Sequence, residues 1–172
     1  MKATHYILLP LVAAQALCVL NAQAADSTIS INASVVASSC TVTTTSTTIP
    51  LGNIQANTLL TAKQFSPWSD TKDILLTACP SSTTMVNATF SGVASTDDLN
   101  GYKNTTSAGP QTVSVQLAKA DGTLLKNGDS YGDVNVATGA AKFTVKARLY
   151  TEKGLVLPGA VTSAIDLTFQ YK

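Results

Sequence analysis

The chain has 172 residues, of which 45% are hydrophobic and only 12% charged, with 11 basic residues set against 10 acidic ones. The first 24 residues have the marks of a removable leader, and without them the balance is ten basic to ten acidic over 148 residues. A net charge near zero argues against nucleic acid or an anionic surface as the main partner, and this length suits one domain with a real core.

Residues 1–24 open on Lys2, continue through the apolar run ILLPLVAAQALCVL, and close on Ala22-Gln23-Ala24. That run is too short to span a bilayer comfortably, and the small-x-small ending marks a cleavage site, so 1–24 is expected to be a signal peptide. No later segment is long and apolar enough to cross a membrane as a helix. Export is therefore expected. Next comes ADSTISINASVV, where Ile29, Ile31, Ala33 and Val35 alternate with polar residues. Period-two alternation with β-branched residues predicts a strand that buries one face.

Cys18 leaves with the signal, and the simplest state of an exported chain with two remaining cysteines pairs Cys40 with Cys79. Closing a loop of about 40 residues is worth roughly 4 kcal/mol by chain entropy. The threonine-rich block CTVTTTSTTIPLG (40–52) predicts a strand, because threonine is β-branched. Residues 53–70 read as irregular with room for a helical turn. DILLTAC (73–79) and MVNATFSGV (85–93) read as strands, and STDDLNGYKNTTSAGP (95–110) as a loop.

QTVSVQLAKA (111–120) alternates through Val113, Val115 and Leu117, and Asp121-Gly122 is a turn pair. YGDVNVA and AKFTVKARLY (141–150) are two more strands. In VTSAIDLTFQY (161–171), Val161, Ile165, Leu167, Phe169 and Tyr171 fall in one phase. Many short strands, regular turns and one disulfide predict an all-β sandwich in a single domain.

Catalytic chemistry is hard to place. The only histidine, His5, lies in the leader, the cysteines are committed to each other, and Glu152 is the only glutamate. Asp97-Asp98 reads as a solvated pair in a polar loop. Phosphate-binding glycine loops and a Gly-x-Ser-x-Gly elbow are absent, and Asp121-Gly122 lacks the rest of a calcium loop. No enzyme, metal site, cofactor or small-molecule substrate is expected. Asn32, Asn87 and Asn104 head Asn-x-Ser/Thr triplets that carry little weight in so threonine-rich a chain, and Trp68 reads as a loop residue packed on the sandwich.

The mature start ADSTISI, the cysteine block SSCTVTTTSTTIPLG, the stretch NATFSGVAS and the end LTFQYK resemble chaperone–usher fimbrial (pilin) subunits. The likeness is greatest to the minor tip-fibrillum subunits of type 1 fimbriae. Tyr171 is penultimate and Gly159 opens the final 14 residues, two features of that family. The resemblance implies an immunoglobulin-like sandwich lacking its last strand, with 25–39 as a donor extension and 40–172 as the pilin domain.

It also implies partners. A periplasmic chaperone lends a strand to the groove, and an outer-membrane usher exchanges it for the extension of the next subunit, displayed at the cell surface. The donor row is Ile29, Ile31, Ala33 and Val35; the acceptor motif is Gly159, Ile165, Leu167, Phe169 and Tyr171. Burying Ile29, Ile31 and Val35 is worth a gross 5–9 kcal/mol, roughly. That is comparable with the net stability of a whole domain, about 5–15 kcal/mol. Ala33 stands where the family's extensions carry glycine. A self-complete secreted sandwich and a major shaft subunit are the competing readings; a two-domain tip adhesin needs a longer chain.

Overall fold

The computed structural model describes residues 32–34 and 39–172, so the expected signal peptide, Ile29, Ile31 and Val35 lie outside the described residues. The chain divides into two units, Met1–Ser34 and Val35–Lys172. Of the first, only 32–34 are described; they are exposed and without regular structure.

Strands dominate the second unit. In chain order they are β1 (Thr41–Val42), β2 (Gln64–Phe65), β3 (Lys72–Thr77), β4 (Met85–Gly92), β5 (Tyr102–Lys103), β6 (Ser114–Lys119), β7 (Ser130–Asn135), β8 (Ala141–Thr151) and β9 (Ile165–Tyr171). One 3-10 turn, Ala56–Leu59, falls within the irregular stretch where a helical turn was expected. The larger sheet runs β1-β3-β8-β6-β5, with β2 also on β8; the smaller runs β7-β4-β9. All pairings are antiparallel.

The core lies between the two sheets. Alternation along β8 turns Phe143 and Val145 inward to 0% and 1% exposure, against Phe90 and Val86 of β4 at 0%. Phe143 meets Tyr131 edge-on at 5.3 Å and Phe169 at 5.8 Å. Beyond β3 the same edge of β8 is held by side chains: the Ser69 hydroxyl accepts from the Ala147 amide and the Ser66 hydroxyl from the Leu149 amide. Cys40 and Cys79 are disulfide-bonded, closing the expected loop with a separation of 39 residues.

Four expectations need correction. The strand expected over 40–52 stops at Val42. Thr43 and Thr44 both point their amides at the Leu75 carbonyl, the Thr43 hydroxyl donates to that oxygen, and the Thr44 hydroxyl accepts from the Leu75 amide. Threonine side chains that bond the backbone compete with a ladder, and here they end it. The strand expected over 161–171 begins at Ile165, because Thr162 spends its backbone groups on Asn104 and Thr105 instead.

The loop expected over 95–110 contains β5, which pairs Tyr102 with Val115. Finally, Asp98 is not solvated but only 6% exposed. Its Oδ1 accepts from the Asn100 amide, and its Oδ2 accepts from the Ser114 hydroxyl at 2.6 Å and Gln116 Nε2 at 3.0 Å. The folded loop thereby covers the outer face of β6, so β6 is buried on both faces where its alternation predicted one.

Candidate functional site

The terminal strand β9 is the last in its sheet and pairs only with β4, from Val86↔Tyr171 to Gly92↔Ile165. Its other edge has no strand partner among the described residues. Its inward side chains, Ile165, Leu167, Phe169 and Tyr171, are all only half-buried, unlike the sealed inward row of β8. Beside that edge runs a cleft of about 710 Å³. One rim is the non-strand segment 47–54; the other is 159–163 with Ile165 and Leu167. The floor is the core itself, including Ile74, Phe90, Leu117 and Val145.

The cleft's chemistry is narrow. No titratable side chain lines it, so it offers neither a general acid nor a base. It offers apolar walls, a few hydroxyls, the Asn53 amide and an edge of β9 that has no strand partner among the described residues. Such a surface suits an extended strand with alternating apolar side chains, held by main-chain hydrogen bonds.

Of the expected acceptor motif, the structure brings Gly159, Ile165 and Leu167 together on the cleft. Gly159 is tightly placed there, since a Cβ would come within 2.9 Å of Pro110 Cδ. Phe169 and Tyr171 continue the same row beyond the cleft, with Phe169 packed on Phe143. Of the expected donor row only Ala33 is described, and it is exposed.

Sequence reasoning missed the opposite rim and the buried Asn104 behind the Gly159 rim. It also missed a second, charge-lined cleft of about 370 Å³ among Asp97, Asp98, Gln116, Tyr150 and Glu152. Lys153 pairs with Asp97 at 2.8 Å, and the Tyr150 hydroxyl donates to Glu152. That bond, with burial second, pushes the Tyr150 phenol up to about 12. Beside this cleft Arg148 donates from Nε to Gln116 and lies over the rings of Phe65 and Trp68 at 4.1 and 4.2 Å. Burial holds its guanidinium below the ordinary arginine range.

The family described as "Fimbrial protein" matches residues 29–172, which takes in both rims of the larger cleft. The chain belongs to the fimbrial protein family. Protein FimG of Escherichia coli (strain K12) is 36% identical over 94% of this chain and 94% of its own length. S-fimbrial adhesin protein SfaS of E. coli O6:K15:H31 (strain 536 / UPEC) is 35% identical over 88% of each. Among solved structures, a subunit of a chaperone–usher pilus superposes with a TM-score of 0.61 at 16% identity, covering 86% of this chain and 96% of that one.

The P pilus rod subunit PapA superposes with a TM-score of 0.60 at 14% identity, over 77% of this chain and 99% of that one. These likenesses show a shared pilin fold. The all-β class and the resemblance to chaperone–usher fimbrial subunits are borne out, and the chain is a fimbrial subunit resembling FimG. Fimbrial subunits are exported to the cell surface. Among the described residues, no helix is long and apolar enough to cross a membrane.

Proposed function

We propose that this fimbrial subunit is a structural link, not an enzyme, joined to its neighbours by strand exchange. Its own cleft accepts a strand from one neighbour, and its segment 25–39, freed by removal of 1–24, completes the sheet of another. Residues 40–172 form the domain that carries the cleft. The observation that carries this reading is the edge of β9 that has no strand partner among the described residues, with its half-buried inward row beside an apolar cleft. Before assembly a periplasmic chaperone supplies the strand, and an outer-membrane usher exchanges it. The likeness to FimG supports a minor position in the tip fibrillum, in service of cell adhesion.

Both ends of the link are testable in fimbriated cells. Ile31→Asp puts a charge in the donor row, outside the domain; Leu167→Asp puts one in the cleft; Thr168→Asp puts one on the exposed face of β9. Immunoblotting of the sheared surface fraction is expected to lose the first two variants from high-mass assemblies and to keep the third. Wild-type incorporation of both Ile31→Asp and Leu167→Asp would overturn the proposal.

A further inference from the structure

The pairing of β9 with β4 ends at Gly92↔Ile165, so residues 159–164 have no strand partner among the described residues. Yet this stretch forms much of one rim of the cleft. Half-buried Val161 and Ser163 alternate with exposed Thr162 and Ala164, in the same phase as Ile165 and Leu167. An extended chain is therefore held in strand phase without a sheet. Something else must hold it.

Asn104 does. It is 1% exposed and uses all four of its hydrogen-bonding positions. Nδ2 donates to the Pro110 and Ala160 carbonyls, both at 3.1 Å, and Oδ1 accepts from the Thr106 and Thr162 amides, both at 3.0 Å. Two of these bonds secure its own loop and two grip the rim. The Thr105 amide and hydroxyl add two more, both to the Thr162 carbonyl. Gly109 lets the loop approach so closely, because a Cβ there would sit 2.0 Å from the Ala160 oxygen.

Successive residues of an extended chain point their N–H and C=O groups to opposite edges. Ala160 and Thr162 face Asn104 and Thr105, so the groups of Val161 and Ser163 face the other way. No hydrogen bond among the described residues engages the backbone of Val161 or Ser163. On the same stretch the Ser163 hydroxyl is buried without a partner.

Building on the strand-acceptance reading, we propose that Asn104 is a positioning residue that extends the acceptor edge upstream of β9. The edge begins at Val161, and an incoming strand pairs with Val161 and Ser163 as well as with β9. The occupant is an extended polypeptide whose backbone continues past Ile165. Asn104 touches none of it. It acts by fixing the backbone that the strand must meet.

The test uses the mature chain with and without its own residues 25–36 appended after Lys172 through a short flexible linker, with exchange read amide by amide by NMR. Filling the cleft is expected to slow exchange along β9 and at Val161 and Ser163 together, by at least about tenfold. In Asn104→Ala the new protection is expected to begin only at Ile165. Asn104→Asp, which keeps both acceptor bonds and loses the two donated ones, is expected to fall between, and it carries the comparison if the alanine variant does not fold.

If β9 becomes protected while Val161 and Ser163 exchange as freely as in the open chain, the extension is wrong and strand acceptance stands. The extension is equally wrong if the Asn104 variants protect Val161 and Ser163 as the wild type does. If β9 itself gains no protection with this segment, nor with the chaperone's donor strand appended in its place, strand acceptance fails, and the extension fails with it.

Discussion

Tyr102→Phe is expected to make this protein more stable. The Tyr102 side chain is 0% exposed and packs so closely on Gly92 that a Cβ there would lie 2.9 Å from its ring. Its hydroxyl is buried with no hydrogen-bond partner among the described residues. A buried polar group without a partner costs about 1–3 kcal/mol, and deleting one oxygen loses only a few tenths in contacts, roughly. The net gain at pH 7 is about 1 kcal/mol, or about 3 °C in Tm for a domain of this size.

The same burial, with the Asp129 carboxylate second, pushes the Tyr102 phenol up to about 12 from its usual 10.0. Because the folded value is the higher one, the neutral phenol's contribution is complete below pH 10 and is lost as pH rises toward 12. That loss is about 2–3 kcal/mol. Tyr150 also titrates near 12 but is present in both proteins, so subtraction isolates Tyr102. Urea unfolding followed by the fluorescence of Trp68, the chain's one tryptophan, at pH 7 and between pH 10 and 12 measures both effects. The gap between variant and wild type should widen with pH. A variant less stable than wild type by more than about 1 kcal/mol at pH 7, or curves that stay parallel above pH 10, would refute the reasoning.

Replacing Cys40 and Cys79 together by serine opens a loop of 39 residues and is expected to cost about 4 kcal/mol in denaturant unfolding; a loss under about 1 kcal/mol would show that the reduced chain keeps that loop closed by other means. Asp73 responds to acid. The Thr144 hydroxyl holds its carboxyl below the usual 3.8 against the opposing effect of burial, and Lys142 adds to the lowering. Its contribution is therefore present above pH 3.8 and lost as pH falls through the lower, folded value. In an acid titration followed by circular dichroism, the gap between Asp73→Asn and wild type should close as pH drops below that range, and a gap that persists to pH 2 would contradict the assignment.

What the sequence made legible and what it hid follow from the range of the interactions involved. β8 and β9 announce themselves because each buries one face, and alternation records that directly in Phe143-Val145-Ala147 and Ile165-Leu167-Phe169. The disulfide was legible from export and the cysteine count. The threonine block misled because β-propensity and side-chain bonding to backbone draw on the same residue; only the nearness of Leu75, some thirty positions away, shows which prevails.

Asp98 and Asn104 were hidden for a related reason. Both stand in a polar loop where exposure is the ordinary expectation, and their partners Ser114, Gln116, Ala160 and Thr162 come from later segments. Of the expected acceptor motif, Gly159, Ile165 and Leu167 line the cleft, and phase and family likeness had singled them out. The facing rim, 47–54, was hidden because it pairs with no strand among the described residues.

The central claim is that the sheet of residues 40–172 is incomplete and is finished by a strand from another chain. Thermal unfolding of the oxidised 40–172 fragment, alone and with synthetic strands bearing alternating apolar residues (segment 25–39 and the chaperone's donor strand among them), tests it most directly. The account predicts a fragment of marginal stability that gains roughly ten degrees or more when a fitting strand binds, as a gain of several kcal/mol requires at about 2–4 °C per kcal/mol. A fragment that is stable alone and unfolds at the same temperature with every strand would contradict it.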